Sequence, residues 1–104
     1  MILEEKRKFE NTLLPQLKTF PFNYVGNFET PDGTPMYVFT LGTDYINNMR
    51  IKIIVSETKN IEVYIDAMDF KNNIMVLSHN FPFVNIKRFE YTIKKFAELV
   101  NLKF

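Results

Sequence analysis

Apolar residues near both ends of the chain recur at the spacing of an α-helix. Over residues 2–20 they share one stripe, formed by Ile2, Phe9, Leu13, Leu17 and Phe20, which Leu3 and Leu14 widen. From Asn85 to about Leu102 a second stripe spans roughly 100° of a helical wheel and contains Ile86, Phe89, Ile93, Phe96, Ala97 and Val100. Each pattern predicts an amphipathic helix with one buried face. Asn85 is suited to cap the second helix, and Glu90 and Lys94 are spaced to form an ion pair on its exposed side.

Pro15 interrupts the first helical pattern. A proline inside a helix removes one backbone hydrogen bond, and its ring clashes with the preceding turn. The sequence therefore predicts either a kink at Pro15 or a short second helix that begins there.

Between the two helical patterns the apolar residues follow the period of two that is typical of strands. Five strands are predicted, at residues 22–29, 36–41, 49–56, 61–68 and 74–79. In the first strand we expect Phe22, Tyr24 and Phe28 on one face. Gly26 interrupts that strand and indicates a bulge or a close backbone approach. The fifth strand opens with an apolar run that does not alternate, which suggests cover on both faces.

The strands at 49–56 and 61–68 form the clearest hairpin. Pairing Val55 with Val63 leaves a three-residue loop, Thr58–Asn60, in which Asn60 can adopt a positive φ. This register predicts that Lys52 lies directly opposite Asp66 on the outer face of the sheet.

The order of the elements predicts one α+β domain over residues 1–104. Short connections favour an antiparallel five-stranded β-meander, and both terminal helices are expected to pack on one of its faces. The step Phe-Pro-Phe occurs at both junctions between helix and sheet, at residues 20–22 and 81–83. We expect each proline to end the preceding element and the flanking rings to pack under a helix end. The alternative is an exposed aromatic patch for a partner.

Composition excludes some kinds of site and indicates a cellular location. Its 104 residues carry a net charge of +1 and contain no cysteine, which excludes disulfides and thiolate metal sites. The N-terminal sequence MILEEKRKFE lacks the order of a signal peptide, and no apolar run reaches the length of a membrane span. A cytoplasmic location without membrane contact is therefore expected. The abundance of Lys, Asn, Ile and Phe suggests an AT-rich bacterial or phage genome.

Candidate catalytic groups are few. His79 is the single histidine, and its neighbour Ser78 points to the opposite face of a strand. The carboxylates of the sheet, which are Glu57, Glu62, Asp66 and Asp69, are interpreted as a solvated face. Nucleotide-binding motifs and zinc-ligand spacings are absent. We therefore expect no catalytic residue, no metal and no cofactor, and no enzymatic activity.

Apolar residues outside the expected core are more informative. If both helices cover one face of the sheet, a set of large side chains stays exposed and forms a candidate interface: Ile54, Tyr64, Met68, Met75, Tyr91 and Leu99. Such a surface favours a non-catalytic protein–protein interaction module, acting as an adaptor, inhibitor or accessory protein and able to form a homodimer. The alternative is that the polar segment 42–48 folds over the open face.

A second hypothesis is a protein that binds single-stranded nucleic acid. Strand aromatics can stack on bases, and two groups of cations are candidate contacts: Arg50, Lys52 and Lys59 in the hairpin, and Lys87, Arg88, Lys94 and Lys95 in the last helix. Acidic residues are interspersed in both groups, which favours ordinary solvated faces.

Overall fold

The computed structural model describes residues 2–56 and 61–104 of the chain. Its helical segments are α1 (Ile2–Lys8), a π-helical segment (Phe9–Leu13), α2 (Leu14–Leu17) and α3 (Ile86–Leu99). Its strands are β1 (Asn23–Glu29), β2 (Pro35–Thr43), β3 (Asn48–Val55), β4 (Ile61–Asp69) and β5 (Ile74–Pro82). The turn predicted at Thr58–Asn60, with Lys59, lies outside the described residues, as does Glu57, which was interpreted as part of a solvated face.

Pro15 is accommodated by a change of helix type. The residues Phe9–Leu13 form a π-helical segment, in which the N–H of Leu14 donates to the carbonyl of Phe9. Pro15 follows as the second residue of α2, where a missing N–H costs little because the first turn of a helix has unpaired donors anyway. A short second helix is therefore present, as one of the two alternatives predicted, and it begins at Leu14, one residue before Pro15.

The five strands form one antiparallel sheet in the order β1-β2-β3-β4-β5. This arrangement confirms the predicted α+β meander. The predicted register of the central hairpin is wrong, because Val55 pairs with Ile61 and Arg50 pairs with Asp66. A shift by two residues keeps every side chain on its face, so the alternation of apolar residues could not distinguish the two registers.

Gly26 marks a bulge in β1, as the sequence indicated. The register shifts between Tyr24 and Gly26, and Gly26 has a φ of 148°, a conformation that glycine adopts readily. Tyr24 then pairs with Phe39 and Phe28 pairs with Met36. Tyr24 and Phe28 therefore lie on opposite faces, and the expectation that they share one face is wrong.

Both ends of the chain pack on the same face of the sheet. The strand side chains in this core are Tyr37, Phe39, Met49, Ile51, Ile53, Val55, Val63, Ile65 and Ala67. The N-terminal segment contributes Phe9, Leu14 and Leu17, and α3 contributes Phe89, Ile93, Phe96 and Ala97. The other face of the sheet has no helix over it among the described residues, and we call it the open face.

Tyr37 of β2 contacts the N-terminal segment through both its ring and its hydroxyl. Its ring lies 4.4 Å from that of Phe9, between centroids, and its hydroxyl donates to Glu10 Oε2 at 2.9 Å. Burial, and then the nearby Glu10 carboxylate, raise the pKa of the Tyr37 hydroxyl well above its usual value. The hydroxyl therefore stays protonated and keeps its role as donor.

The two Phe-Pro-Phe steps converge on Phe89, in the first turn of α3. The ring centroid of Phe89 lies 6.0 Å from Phe20 and 6.4 Å from Phe22. It lies 6.5 Å from Phe81 and 5.6 Å from Phe83. The side chain of Asn85 caps the same turn by accepting from the N–H of Arg88. The flanking rings thus pack under the start of α3, as the sequence indicated.

We expect Phe89→Ala to lower the free energy of unfolding by about 3–5 kcal/mol, because it opens a cavity where the two steps meet. Chemical denaturation measures the loss. The matched control is Tyr91→Ala on the exposed side of α3 (63% exposed), for which we expect a change within about 0.5 kcal/mol. Equal losses in the two variants would show that the rings are not packed as described.

Candidate interaction surface

β5 is an edge strand that pairs with β4 alone. Its first three residues, Ile74, Met75 and Val76, are 57%, 52% and 57% exposed. The expectation that this strand is covered on both faces is therefore wrong. Ala67 pairs with Leu77 while Met68 pairs with Met75, so Val76 is an extra residue in a bulge, and this bulge accounts for the missing alternation.

The outer side of β5 presents backbone polar groups without a neighbouring strand among the described residues. Beyond the end of β5 the N–H of Phe83 donates to the carbonyl of Ile61 at 2.7 Å. Hydrogen-bonded pairs alternate along an antiparallel ladder, so Phe81 and His79 also direct their backbone groups towards β4. The N–H and C=O groups of Ser78 and Asn80 consequently point away from the sheet.

Two hollows, of about 300 and 420 Å³, lie on the two sides of β5. The hollow between β5 and α3 has a volume of about 300 Å³ and is lined mainly by Leu77, Thr92, Phe96 and Leu99. We call it the helix-side hollow. Leu99 is 71% exposed at its rim. Leu77 is half-buried and Phe96 is buried, so the accessible apolar surface of this hollow comes mainly from Leu99.

The second hollow lies on the open face of the same strand and measures about 420 Å³. We call it the open-face hollow. Its lining includes Lys52, Tyr64, Met75 and Asn80. Ser78 and His79 line both hollows, so β5 runs between them. The His79 ring stacks on Phe81 with the centroids 5.4 Å apart.

Asp66 is buried on the open face, although the sequence placed it in a solvated set. Its side chain is 6% exposed, and its Oδ2 lies 3.1 Å from Arg50 Nη2 and 3.9 Å from Lys52 Nζ. The cation directly opposite Asp66 is therefore Arg50, and Lys52, which pairs with Tyr64, reaches it diagonally. One buried carboxylate thus faces two cations.

Asp69 has a structural role in the turn between β4 and β5. Its Oδ1 accepts from the N–H groups of Lys71 and Asn72, and its Oδ2 accepts from the Asn72 side chain. These hydrogen bonds, the Asn72 side chain first, lower the pKa of the Asp69 carboxyl. Among the residues described, no group of three or more His, Cys, Asp and Glu side chains is arranged to hold a metal ion.

The turn between β2 and β3 does not fold over the open face. Gly42 and Thr43 continue β2, and Tyr45 and Ile46 in the turn are 67% and 65% exposed. The carbonyl of Tyr45 accepts from the N–H of Phe70 at 3.0 Å. This backbone hydrogen bond joins the turn after β2 to the turn after β4, at the end of the sheet where β5 begins.

Asn48 holds these turns in place. Its side chain is buried, and its Nδ2 donates to the carbonyl of Met68 at 2.7 Å and to that of Asp44 at 3.0 Å. Its Oδ1 accepts from the N–H of Met68 at 3.0 Å. One amide therefore ties the turn after β2 to the end of β4.

The six predicted interface residues fall on two surfaces. Ile54, Tyr64, Met68 and Met75 belong to the open face, where Met75 is 52% exposed and Ile54 and Met68 are half-buried. Tyr91 and Leu99 belong to α3, and Leu99 lies at the β5 edge through the helix-side hollow. The structure therefore brings Met75 and Leu99 to β5 and leaves Tyr91 apart. Sequence reasoning missed Phe70, Ile74 and Val76. The signal for Ile74 and Val76 was the uncharged apolar run that opens β5, whereas Phe70 lies in the turn before it.

The candidate nucleic-acid contacts are divided between the two layers. Arg50 and Lys52 lie on the open face beside Asp66, whereas Lys87, Arg88, Lys94 and Lys95 lie on α3. Lys94 pairs with Glu90 at 3.5 Å, as predicted, and Lys95 pairs with Glu98 at 3.8 Å. The nucleic-acid hypothesis stays a prediction whose described contacts do not form one surface.

Comparison with protein-family models, with curated proteins and with solved structures gives no match for this chain. Within residues 2–56 and 61–104, no helix has the length and apolar character needed to cross a membrane.

Asn48→Ala is expected to lower the free energy of unfolding by about 1–3 kcal/mol, because it leaves the buried backbone groups of Met68 without their side-chain partner. Thermal or urea denaturation measures the change. Asn11→Ala, on an exposed helical position, is the control and should stay within about 0.5 kcal/mol. A similarly small effect at Asn48 would show that its side-chain hydrogen bonds to Met68 do not stabilise the fold.

Proposed function

We propose that this chain is a non-catalytic protein–protein interaction module that binds its partner at the corner where β5 begins. The single observation that carries this proposal is a set of exposed apolar side chains gathered there from three elements, which we call the β5 corner: Phe70, Ile74, Met75, Val76 and Leu99. They are 52–71% exposed. A contiguous apolar surface on a small domain supports an interaction site, because burying it on binding is favourable.

The chemistry of this surface supports a protein as the partner. Aromatic residues and methionine are enriched in protein interfaces, and the corner contains both types, in Phe70 and Met75. The hollows beside β5 are lined by mixed apolar and polar side chains, with no pair of carboxylates in either lining. His79 packs on Phe81. These features support binding more than catalysis.

A second copy of the chain is one partner that this proposal includes, since a twofold axis can join equivalent apolar corners. The proposal includes an adaptor, inhibitor or accessory role in the cytoplasm for a protein of a bacterium or phage, which is consistent with the cysteine-free sequence. Light scattering over a range of concentrations measures whether the chain associates with itself.

The proposal is tested by selecting ligands for the native protein from a random peptide library displayed on phage. We expect selected peptides to bind with an affinity that falls by at least about tenfold, or about 1.4 kcal/mol, in the double variant Val76→Ser, Leu99→Ser. Fluorescence anisotropy measures the affinity.

Val25→Ser is the matched control, because Val25 is 53% exposed on β1, at the opposite edge of the sheet from β5. Its affinity for the same peptides should stay within about twofold of the wild type. Two results would contradict the proposal. One is a protein that stays monomeric at all concentrations and for which the library gives no binding peptide; the other is peptide binding whose affinity is unchanged in the double variant.

A further inference from the structure

We propose that β5 binds an extended, acidic segment of another protein, which adds to the sheet as a sixth strand. This inference rests on the proposed function and specifies both the form of the partner and its charge.

The backbone of β5 determines the form of the partner. Ser78 and Asn80 direct two N–H and two C=O groups away from β4, and both residues are exposed. A second extended strand is the structure that pairs with such a row of donors and acceptors. The nine residues of β5 contain no Asp, Glu, Lys or Arg, so the edge lacks the charges with which edge strands commonly prevent pairing.

The other edge of the sheet is less suited to an added strand. β1 carries the bulge at Gly26 in the middle of the strand, where it interrupts a regular ladder. The bulge of β5 at Val76 lies near the beginning of its strand and leaves the later residues in regular pairing. β1 also ends in the charged residue Glu29. The regular stretch of β5 from Leu77 to Pro82 is therefore the edge on which pairing is expected.

The two hollows fit the alternating side chains of an extended strand. Successive side chains of such a strand point to opposite faces. One set would enter the helix-side hollow beside Leu77, Phe96 and Leu99, and the other would enter the open-face hollow beside Lys52 and Tyr64. Both hollows adjoin the same residues, Ser78 and His79, so one strand can reach both.

The charge beside the edge favours an acidic partner. Arg88, Thr92, Lys95 and Leu99 have the spacing of a single stripe along α3, and the last three line the helix-side hollow. Lys95 has Glu98 at 3.8 Å, but both side chains are more than half exposed, so this pair is weak. At the open-face hollow, Asp66 faces Lys52 in the lining and Arg50 beside it, so one carboxylate is set against two cations. Glu62 lies further along, opposite Pro82.

The same charges disfavour a second copy of this chain as the occupant. If two β5 strands paired about a twofold axis, the two α3 helices would lie side by side on one face of the joined sheet. Arg88 and Lys95 of each copy would then approach the equivalent stripe of the other, and like charges in contact are destabilising. An acidic strand places carboxylates near these cations instead.

Two synthetic peptides of eight residues test the inference. One alternates valine with glutamate, and the other alternates valine with lysine; both are blocked at the termini and labelled for fluorescence anisotropy. We expect the glutamate peptide to bind at least about tenfold more tightly than the lysine peptide at low salt. This preference should shrink as salt is added.

The variant Ser78→Pro removes one outward N–H from the edge and should weaken binding of the glutamate peptide by at least about tenfold. Because this N–H points away from β4, the substitution is compatible with an edge strand. Ser78→Ala is the matched control, since it removes the hydroxyl but keeps the backbone donor, and it should bind within about twofold of the wild type. If Ser78→Pro does not fold, slower hydrogen exchange at Ser78 and Asn80 in the wild type with bound peptide gives the same support.

Several results would overturn the inference. They are no binding at about 1 mM protein, equal binding of the two peptides, full binding by Ser78→Pro, and a stable dimer that Ser78→Pro separates. Library-selected peptides that bind at the β5 corner while the glutamate peptide does not would refute the acidic strand and leave the proposed function standing.

Discussion

The packing of four phenylalanine rings around Phe89 is the interaction on which the arrangement of the layers depends. These rings come from two Phe-Pro-Phe steps that lie some sixty residues apart in the sequence and meet at the first turn of α3. Each step directs the chain from one layer into the other, so the N-terminal segment and α3 must share one face of the sheet. The same rings also hold the last residues of the chain in place, because Phe104 packs against Phe20 and Phe22.

The position of the exposed edge follows from that packing. Phe81 and Phe83 pack against Phe89 in the first turn of α3, beside the end of β5, and Ile93 and Phe96 further along the helix are buried in the core. The beginning of β5 is therefore left beyond the cover of α3, with Leu99 and Val76 exposed at the corner. The same arrangement leaves a hollow on each side of β5. The β5 corner, which we propose as a binding surface, is thus a consequence of how the helical segments cover the five-stranded sheet.

Features set by local sequence could be predicted, and features set by distant contacts could not. The strands and helices, the cap at Asn85, the bulge at Gly26 and the pair of Glu90 with Lys94 depend on residues close in the chain. The pairing of Val55 with Ile61 was missed because alternation fixes the face of a residue and leaves its partner ambiguous by two positions. The burial of Asp66 depends on Arg50 across the ladder, and the exposure of Ile74 depends on β5 having no outer neighbour among the described residues. The apolar run at residues 74–77 indicated a buried strand. A strand that contacts a partner has the same pattern, so the sequence could not distinguish the two.

Hydrogen exchange followed by NMR in the free protein tests most directly whether β5 is an open edge. If β5 is an open edge, the amides of His79 and Phe81, which point towards β4, exchange slowly, while those of Ser78 and Asn80 exchange much faster. Slow exchange at all four amides would show that the outer side of β5 is already covered in solution, and would exclude an open edge.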